Sequence, residues 1–181
     1  MSYIHNYYAM RQKKSKNIVF VGAHSPNKGY DRLIEAFKLL EGYNLYMIGS
    51  CAEKITDKLP GLHVFGYVPS LKPYLSRCSI YVHPAYFESF GISVLEAMSA
   101  GLIPIVTKQT GVSEVLVKNG LSSLVVPGNK PEMLAKKIAD VQNYSLDKKK
   151  SISAKCRKIV RDDFLEERGI QKFREAFTKL C

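Results

Sequence analysis

Apolar and polar positions along this chain switch period repeatedly, and that alternation is the first fold signal. Short apolar runs at Ile18–Gly22, Leu45–Ile48, His63–Phe65, Ser79–His83, Ile103–Thr107 and Ser123–Val126 read as strands of a parallel sheet covered on both faces. Between the first two runs, Tyr30, Leu33, Ile34, Phe37 and Leu40 recur at helical spacing and form one apolar stripe. Shorter helices are expected near Ala52–Leu59, Leu71–Cys78, Ile92–Ala100 and Ser113–Lys118. Pro131 suits the first turn of a helix that points Leu134, Ile138 and Val141 inward. Two further helices fill Leu146–Leu180, the last striped by Ile170, Phe173 and Phe177. Strands alternating with helices predict an α/β domain with a doubly wound, parallel, six-stranded sheet. It is Rossmann-like, in order 3-2-1-4-5-6, with extra C-terminal helices. Residues 1–16 lack periodicity and read as a tail or edge segment, which leaves residues 17–181 as one domain.

In that strand order a crevice opens between the first and fourth strands, at their carboxyl ends. The loops leaving those strands are Ala23–Gly29 and Pro84–Gly91. The second runs into a helix, and the stretch from His83 to Gly101 sets Glu88 and Glu96 on either side of that junction, seven residues between them. The amides of Phe90, Gly91 and Ile92 stand at the helix start, where orphan donors and the helix dipole favour an anion. Glu96 has two readings, a ligand contact or the acid of a capping box begun by Ser93. Glu88 lies among Tyr86, Phe87, Ser89, Phe90 and Gly91, a mixture that a purely structural loop does not need. Lys28, in Gly22-Ala-His-Ser-Pro-Asn-Lys-Gly29, is either an exposed loop lysine or a point charge for a diphosphate.

The stretch from His83 to Gly101 resembles the donor-sugar signature of the large retaining glycosyltransferase family built from two Rossmann-like halves (the GT-B fold, group 1 or family 4 type). That signature is a strand ending in Pro, then Glu-x-Phe-Gly, then Glu-Ala-Met/Leu-x-x-Gly. The resemblance extends from about Asn17 to the C-terminus. It takes in Val21-Gly22, Asn27-Lys28-Gly29 and Leu33-Ile34-Glu35-Ala36-Phe37. It then runs through Val64–Val68, Gly101–Val106, Gly120-Leu121 and Leu124–Pro127, in the family's order. The chain is thus identified as similar to the C-terminal, donor-nucleotide-binding half of such an enzyme.

Carried over onto this sequence, the resemblance implies that Glu96 holds the ribose hydroxyls and Glu88 the hydroxyls of the donor sugar. Ser89 and the Phe90, Gly91 and Ile92 amides meet sugar and phosphates, and Lys28 with the Gly22 loop meets the diphosphate. Glu88 and Lys28 are the residues implied to be catalytic. Tyr67, in Gly66-Tyr67-Val68, falls in the loop flanking the nucleobase and either stacks on the base or packs on the sheet edge. Thr110-Gly111-Val112-Ser113-Glu114 resembles a Gly-Gly-x-x-Glu loop with Thr110 replacing the first glycine; Glu114 also suits an early-helix position favoured by the dipole. One departure stands out: the arginine usual directly after the first glycine is Ala23 here, followed by His24. His83 is expected to be a satisfied structural histidine.

The implied reaction moves a hexosyl group from a UDP- or GDP-linked sugar to a glycan or lipid-linked acceptor, with retention at the anomeric carbon. No cofactor or metal is expected, so the positive charge must come from the protein. The family's preceding, acceptor-binding half has no counterpart in these 181 residues. The chain is therefore a fragment, a subunit that works with a partner chain, or a non-catalytic remnant. Alternatives are a non-catalytic nucleotide-sugar-binding domain, half of a sugar-nucleotide epimerase, and a glycogen-synthase-like relative.

Charge widens the choice before pattern narrows it. A net charge of +11 suits an anionic ligand, a nucleic acid or an acidic membrane surface. The basic runs Arg11–Lys16 and Lys148–Lys150 lack interleaved aromatics, so they read as solvated faces and no nucleic acid is expected. Peripheral contact with a membrane is retained as a partner expectation. Cys51, Cys78, Cys156 and Cys181 show neither pairing nor metal-ligand spacing and read as reduced thiols. With no signal-peptide core and no apolar run of membrane-spanning length, a cytoplasmic protein at the inner face of the membrane is expected.

Overall fold

The computed structural model describes residues 15–128 and 130–164. The helix expected around Ile170, Phe173 and Phe177 lies outside the described residues, as do Cys181 and most of the N-terminal tail. Six parallel strands, β1 (Asn17–Val21), β2 (Asn44–Ile48), β3 (Leu62–Phe65), β4 (Ile80–His83), β5 (Ile103–Thr107) and β6 (Val125–Val126), form one sheet in the order β3-β2-β1-β4-β5-β6. Helices α1 (Tyr30–Lys38), α2 (Lys72–Leu75), α3 (Ile92–Ser99), α4 (Val112–Lys118), α5 (Pro131–Gln142) and α6 (Leu146–Asp163) supply the crossovers and the C-terminal cover. This is the Rossmann-like architecture that the sequence predicts, with the switch between β1 and β4, where Ile18 pairs with Ile80 and Val19 with Tyr81.

Burial follows the pattern that located the strands. Every residue of β4 and β5 is buried, whereas the edge strand β3 is half-buried throughout. Helix α1 turns Leu33, Ile34, Ala36 and Phe37 into the core and packs against α5; α3 packs against α6. On α5, Pro131 sits in the first turn and Leu134, Ile138 and Val141 are buried, as expected.

The shorter connections differ from expectation. The helix expected at Ala52–Leu59 is only a 3-10 turn, Ser50–Lys54, after which Ile55 is extended; β-branched Ile55 and Thr56, followed by Pro60, do not continue it. The one expected at Leu71–Cys78 reduces to the single turn of α2. A 3-10 turn, Ser122–Leu124, leaves only Val125 and Val126 in β6. Lys149 is not part of a solvated face: it is buried, and its ammonium donates to the Gln142 carbonyl at 2.6 Å. Its flanking lysines do face outward, Lys148 lying over the Tyr144 ring at 3.5 Å.

Candidate functional site

The carboxyl ends of β1, β2 and β3 each finish on a glycine, and the first two are in close register. The Gly22 amide donates to the Ile48 carbonyl at 2.9 Å, and the Gly49 amide to the Phe65 carbonyl at 3.0 Å. A Cβ on Gly49 would fall 2.3 Å from the Gly22 carbonyl oxygen, so backbone approaches backbone here without an intervening side chain. Gly66 has open space around it.

The first loop and the loop after β4 are stitched together. Tyr86 and Phe87 donate their amides to the Asn27 carbonyl, at 2.7 and 3.4 Å. Gly29 closes the 3-10 turn Pro26–Lys28 in the left-handed conformation, φ 65°. Its missing Cβ would lie 2.0 Å from the Pro84 carbonyl oxygen. A third loop holds the other side of Glu88: its amide donates to the Gln109 carbonyl and its carbonyl accepts from Gly111, both at 3.0 Å. The Phe90 carbonyl takes the Val112 amide at 2.9 Å. Three loops therefore fix the backbone of Glu88.

The side chains of the two expected catalytic residues meet. Lys28 and Glu88 form an ion pair through Nζ and Oε2, with side chains 27 % and 14 % exposed. The structure thus engages Lys28 instead of leaving it a solvated loop lysine. Burial alone would raise the Glu88 carboxyl, but the Lys28 ammonium, the Phe90 amide and His83 outweigh it and hold the acid below its ordinary range.

At the start of α3 the cap is Gly91, φ 99°, and no side chain caps the helix. The capping-box reading of Ser93 and Glu96 therefore fails. Ser93 is already helical, and its Oγ lies 2.8 Å from the hydroxyl of buried Tyr81, which also reaches the Val21 carbonyl at 3.2 Å. Glu96 is exposed one turn into the helix, and among the described residues its carboxylate engages no donor. Of the expected free amides, Phe90 N–H turns toward Glu88 Oε1 at 3.5 Å. Gly91 and Ile92 N–H have no acceptor among the described residues. Ser89 is exposed beside them, with its carbonyl against Gly111.

Tyr67 is 93 % exposed, so it does not pack on the sheet edge. Phe87 and Ile92 also present apolar surface around the site. Ala23 is exposed, leaving room for a longer side chain, and its neighbour His24 donates its backbone N–H to Ser50 Oγ at 2.8 Å. Glu114 is exposed in the first turn of α4. A neighbouring cavity of about 290 Å³, lined by Tyr30, Asp31, Arg32, Glu35 and Tyr86 among others, is not lined by Lys28, Tyr67, Glu88, Ser89 or Glu96.

Sequence reasoning missed Gly49 and misread His83. Gly49 carried a signal, since it follows β2 as Gly22 follows β1. His83 is not satisfied: it is buried, and neither ring nitrogen has a hydrogen-bond partner among the described residues. Its Nε2 approaches Glu88 Oε2 at 3.4 Å without hydrogen-bond geometry.

A doubly wound sheet that gathers a cation, two acids and helix-start amides near its switch point defines a Rossmann-like α/β domain. The sequence profile of the group 1 glycosyl transferases matches residues 9–159, and the chain belongs to that family. An uncharacterized glycosyltransferase of Methanocaldococcus jannaschii is 31 % identical over 137 residues, which are 69 % of this chain and 38 % of that protein. The chain spans little more than a third of the length of curated relatives that it matches along most of its own length. Among solved structures, Anabaena HepE in complex with UDP-glucose superposes with a TM-score of 0.78 at 19 % identity, over 97 % of this chain and 53 % of that one. The catalytic domain of the cholesterol-α-glucosyltransferase of Helicobacter pylori superposes with a TM-score of 0.65 at 26 % identity, over 78 % of this chain and 94 % of that one. Among the described residues no helix is long and apolar enough to cross a membrane.

Proposed function

We propose that this chain is the donor half of a retaining glycosyltransferase, binding a nucleoside-diphosphate sugar and presenting its hexosyl group to an acceptor. The observation that carries the proposal is the meeting of Lys28 with Glu88 beside the open Gly91 and Ile92 amides. An ammonium and two helix-start N–H donors without an acceptor among the described residues suit a diphosphate. A carboxylate one side chain away suits the hydroxyls of the sugar attached to it. Glu96, exposed and unengaged on the same helix, is available for the ribose, and Tyr67 for the base.

In the chemical step the bond from the anomeric carbon to the diphosphate breaks and negative charge builds on the leaving group. Stabilising that charge is the role proposed for Lys28 and the helix-start amides. The UDP-glucose complex of HepE supports a nucleotide sugar as donor, and the cholesterol glucosyltransferase supports a lipid as one class of acceptor. Holding that acceptor falls to a preceding domain or a partner chain. Positioning supplies much of such a rate, so the 181-residue chain alone should bind donor but transfer sugar negligibly.

Thermal melting with UDP, GDP and their sugar derivatives tests the proposal, because a ligand that binds only the folded state raises the melting point. Stabilisation by one of these nucleotides and not by the free nucleoside is expected. No shift with any of them refutes it. A non-catalytic sugar-nucleotide-binding domain is the second reading, favoured by Ala23 where the family carries arginine. Binding without turnover, even when an acceptor-binding half is supplied, would decide for it.

A further inference from the structure

His83 lies beside the Lys28–Glu88 pair, and its ring nitrogens have no hydrogen-bond partner among the described residues. Its side chain is 1 % exposed, and a buried imidazole with both nitrogens unpartnered is unusual. The rings of Phe20 and Tyr81 flank it at 6.2 and 6.3 Å. Burial pushes the ring down to about 4; Glu88 opposes that shift and Lys28 adds to it. The imidazole is therefore neutral around neutral pH. The charged groups facing it are Glu88, from the loop after β4, and Lys28, from the first loop. From β1 it meets Phe20, and from its own strand Tyr81, whose hydroxyl is committed to Val21 and Ser93.

On the donor-site reading proposed above, on which this inference rests, the incoming diphosphate competes with Glu88 for Lys28. When the ammonium moves to the phosphates, a carboxylate only 14 % exposed loses its counter-charge. The sugar hydroxyls that replace it bring hydrogen bonds but no charge, and an uncompensated, largely buried carboxylate is costly. The same departure removes the cation that opposes charge on His83.

We infer that His83 is a positioning residue which takes over Glu88 when the donor draws Lys28 away. The neutral ring gains one proton from solvent, and Nε2–H then donates to Glu88 Oε2. No other bond is made or broken. The carboxylate is thereby held in place for the sugar at the moment its first partner leaves, and donor binding is coupled to proton uptake.

The test is calorimetric titration of the chain with UDP-glucose, whose diphosphate has no proton to gain near neutral pH. Repeating it in buffers of different ionisation enthalpy counts the protons taken up. For the wild-type chain near pH 6, uptake approaching one proton per ligand is expected. Affinity should rise by up to about tenfold per pH unit between about pH 7 and about pH 5. His83→Gln, whose amide can still donate to Glu88, should keep its affinity within a few-fold near pH 8 and lose the uptake.

Persistent uptake in His83→Gln would mean that Glu88 takes the proton, and would overturn the inference. Binding by the wild-type chain without uptake would overturn it too, leaving the donor site intact. Failure to bind UDP-glucose, UDP or GDP-mannose at all would sink both proposals together. Should His83→Gln not fold, the ring shifts of His83 in isotope-labelled wild-type protein decide. Movement to imidazolium values on adding UDP-glucose supports the inference, and unchanged neutral values refute it.

Discussion

Glu88→Gln should change the affinity for UDP and for UDP-glucose in opposite directions. The substitution keeps the shape of the side chain and removes its charge. In the free chain that charge holds Lys28, so a diphosphate recruiting Lys28 must first break the ion pair. Pairs with this degree of exposure contribute about 0.5–1 kcal/mol. Removing an anion some 6–8 Å from the incoming phosphates adds roughly 0.5 kcal/mol even at the dielectric of water. Together these make UDP bind about five- to tenfold tighter. UDP-glucose gains the same amount but loses a charged acceptor for a sugar hydroxyl, worth about 1.5–3 kcal/mol. Its net affinity should fall by up to about thirtyfold. Calorimetry with the two ligands at low ionic strength reads both changes, and the melting point should move little. Equal weakening of both ligands would mean that Glu88 only shapes its loop. Unchanged UDP affinity would mean that Lys28 does not meet the diphosphate.

Three further expectations concern stability and the departures from the family. His83 is pushed down to about 4 from an ordinary 6.5, so the unfolded chain takes up a proton that the fold refuses. The corresponding stability is complete above about pH 6.5, declines on acidification and is gone once the pH has fallen through about 4. It amounts to about 3 kcal/mol. Urea unfolding from pH 7 to pH 4 measures it, and His83→Gln should lose less over that range. Gly29→Ala should destabilise by more than the roughly 1–2 kcal/mol of a left-handed residue, because its Cβ would meet the Pro84 carbonyl at 2.0 Å; an unchanged urea midpoint would contradict the loop packing. Ala23→Arg should tighten UDP binding by a factor that shrinks as salt is added, whereas a salt-independent change would place residue 23 away from the phosphates.

The sheet was legible because burial writes itself into side-chain chemistry. Ile80-Tyr81-Val82 and Ile103-Pro104-Ile105 are apolar without interruption because both faces of β4 and β5 are covered. Strand order then pointed to two loops, and the residues of interest were on them. What stayed hidden depends on backbone meeting backbone. The bonds from Glu88 to Gln109 and Gly111 and from Tyr86 to Asn27 leave no side-chain signature, and Gly29 and Gly111 only hint at the close approach. The Ser93–Glu96 pairing misled because a capping box needs its serine outside the helix, and Gly91 takes that place. No local pattern shows that the ring nitrogens of His83 have no hydrogen-bond partner among the described residues, since Phe20 and Lys28 reach it from distant parts of the chain.

The bonds tying Asn27 to Tyr86 and Phe87, and Glu88 to Gln109 and Gly111, bear on how such a site can vary between relatives. Exposed side chains such as those at positions 23 and 67 can be exchanged without disturbing the loop packing. An insertion or deletion in any of the three loops cannot be absorbed locally, since each is hydrogen-bonded to a neighbour through its backbone. Change at this site is therefore channelled into substitutions on a frame of interlocked loops.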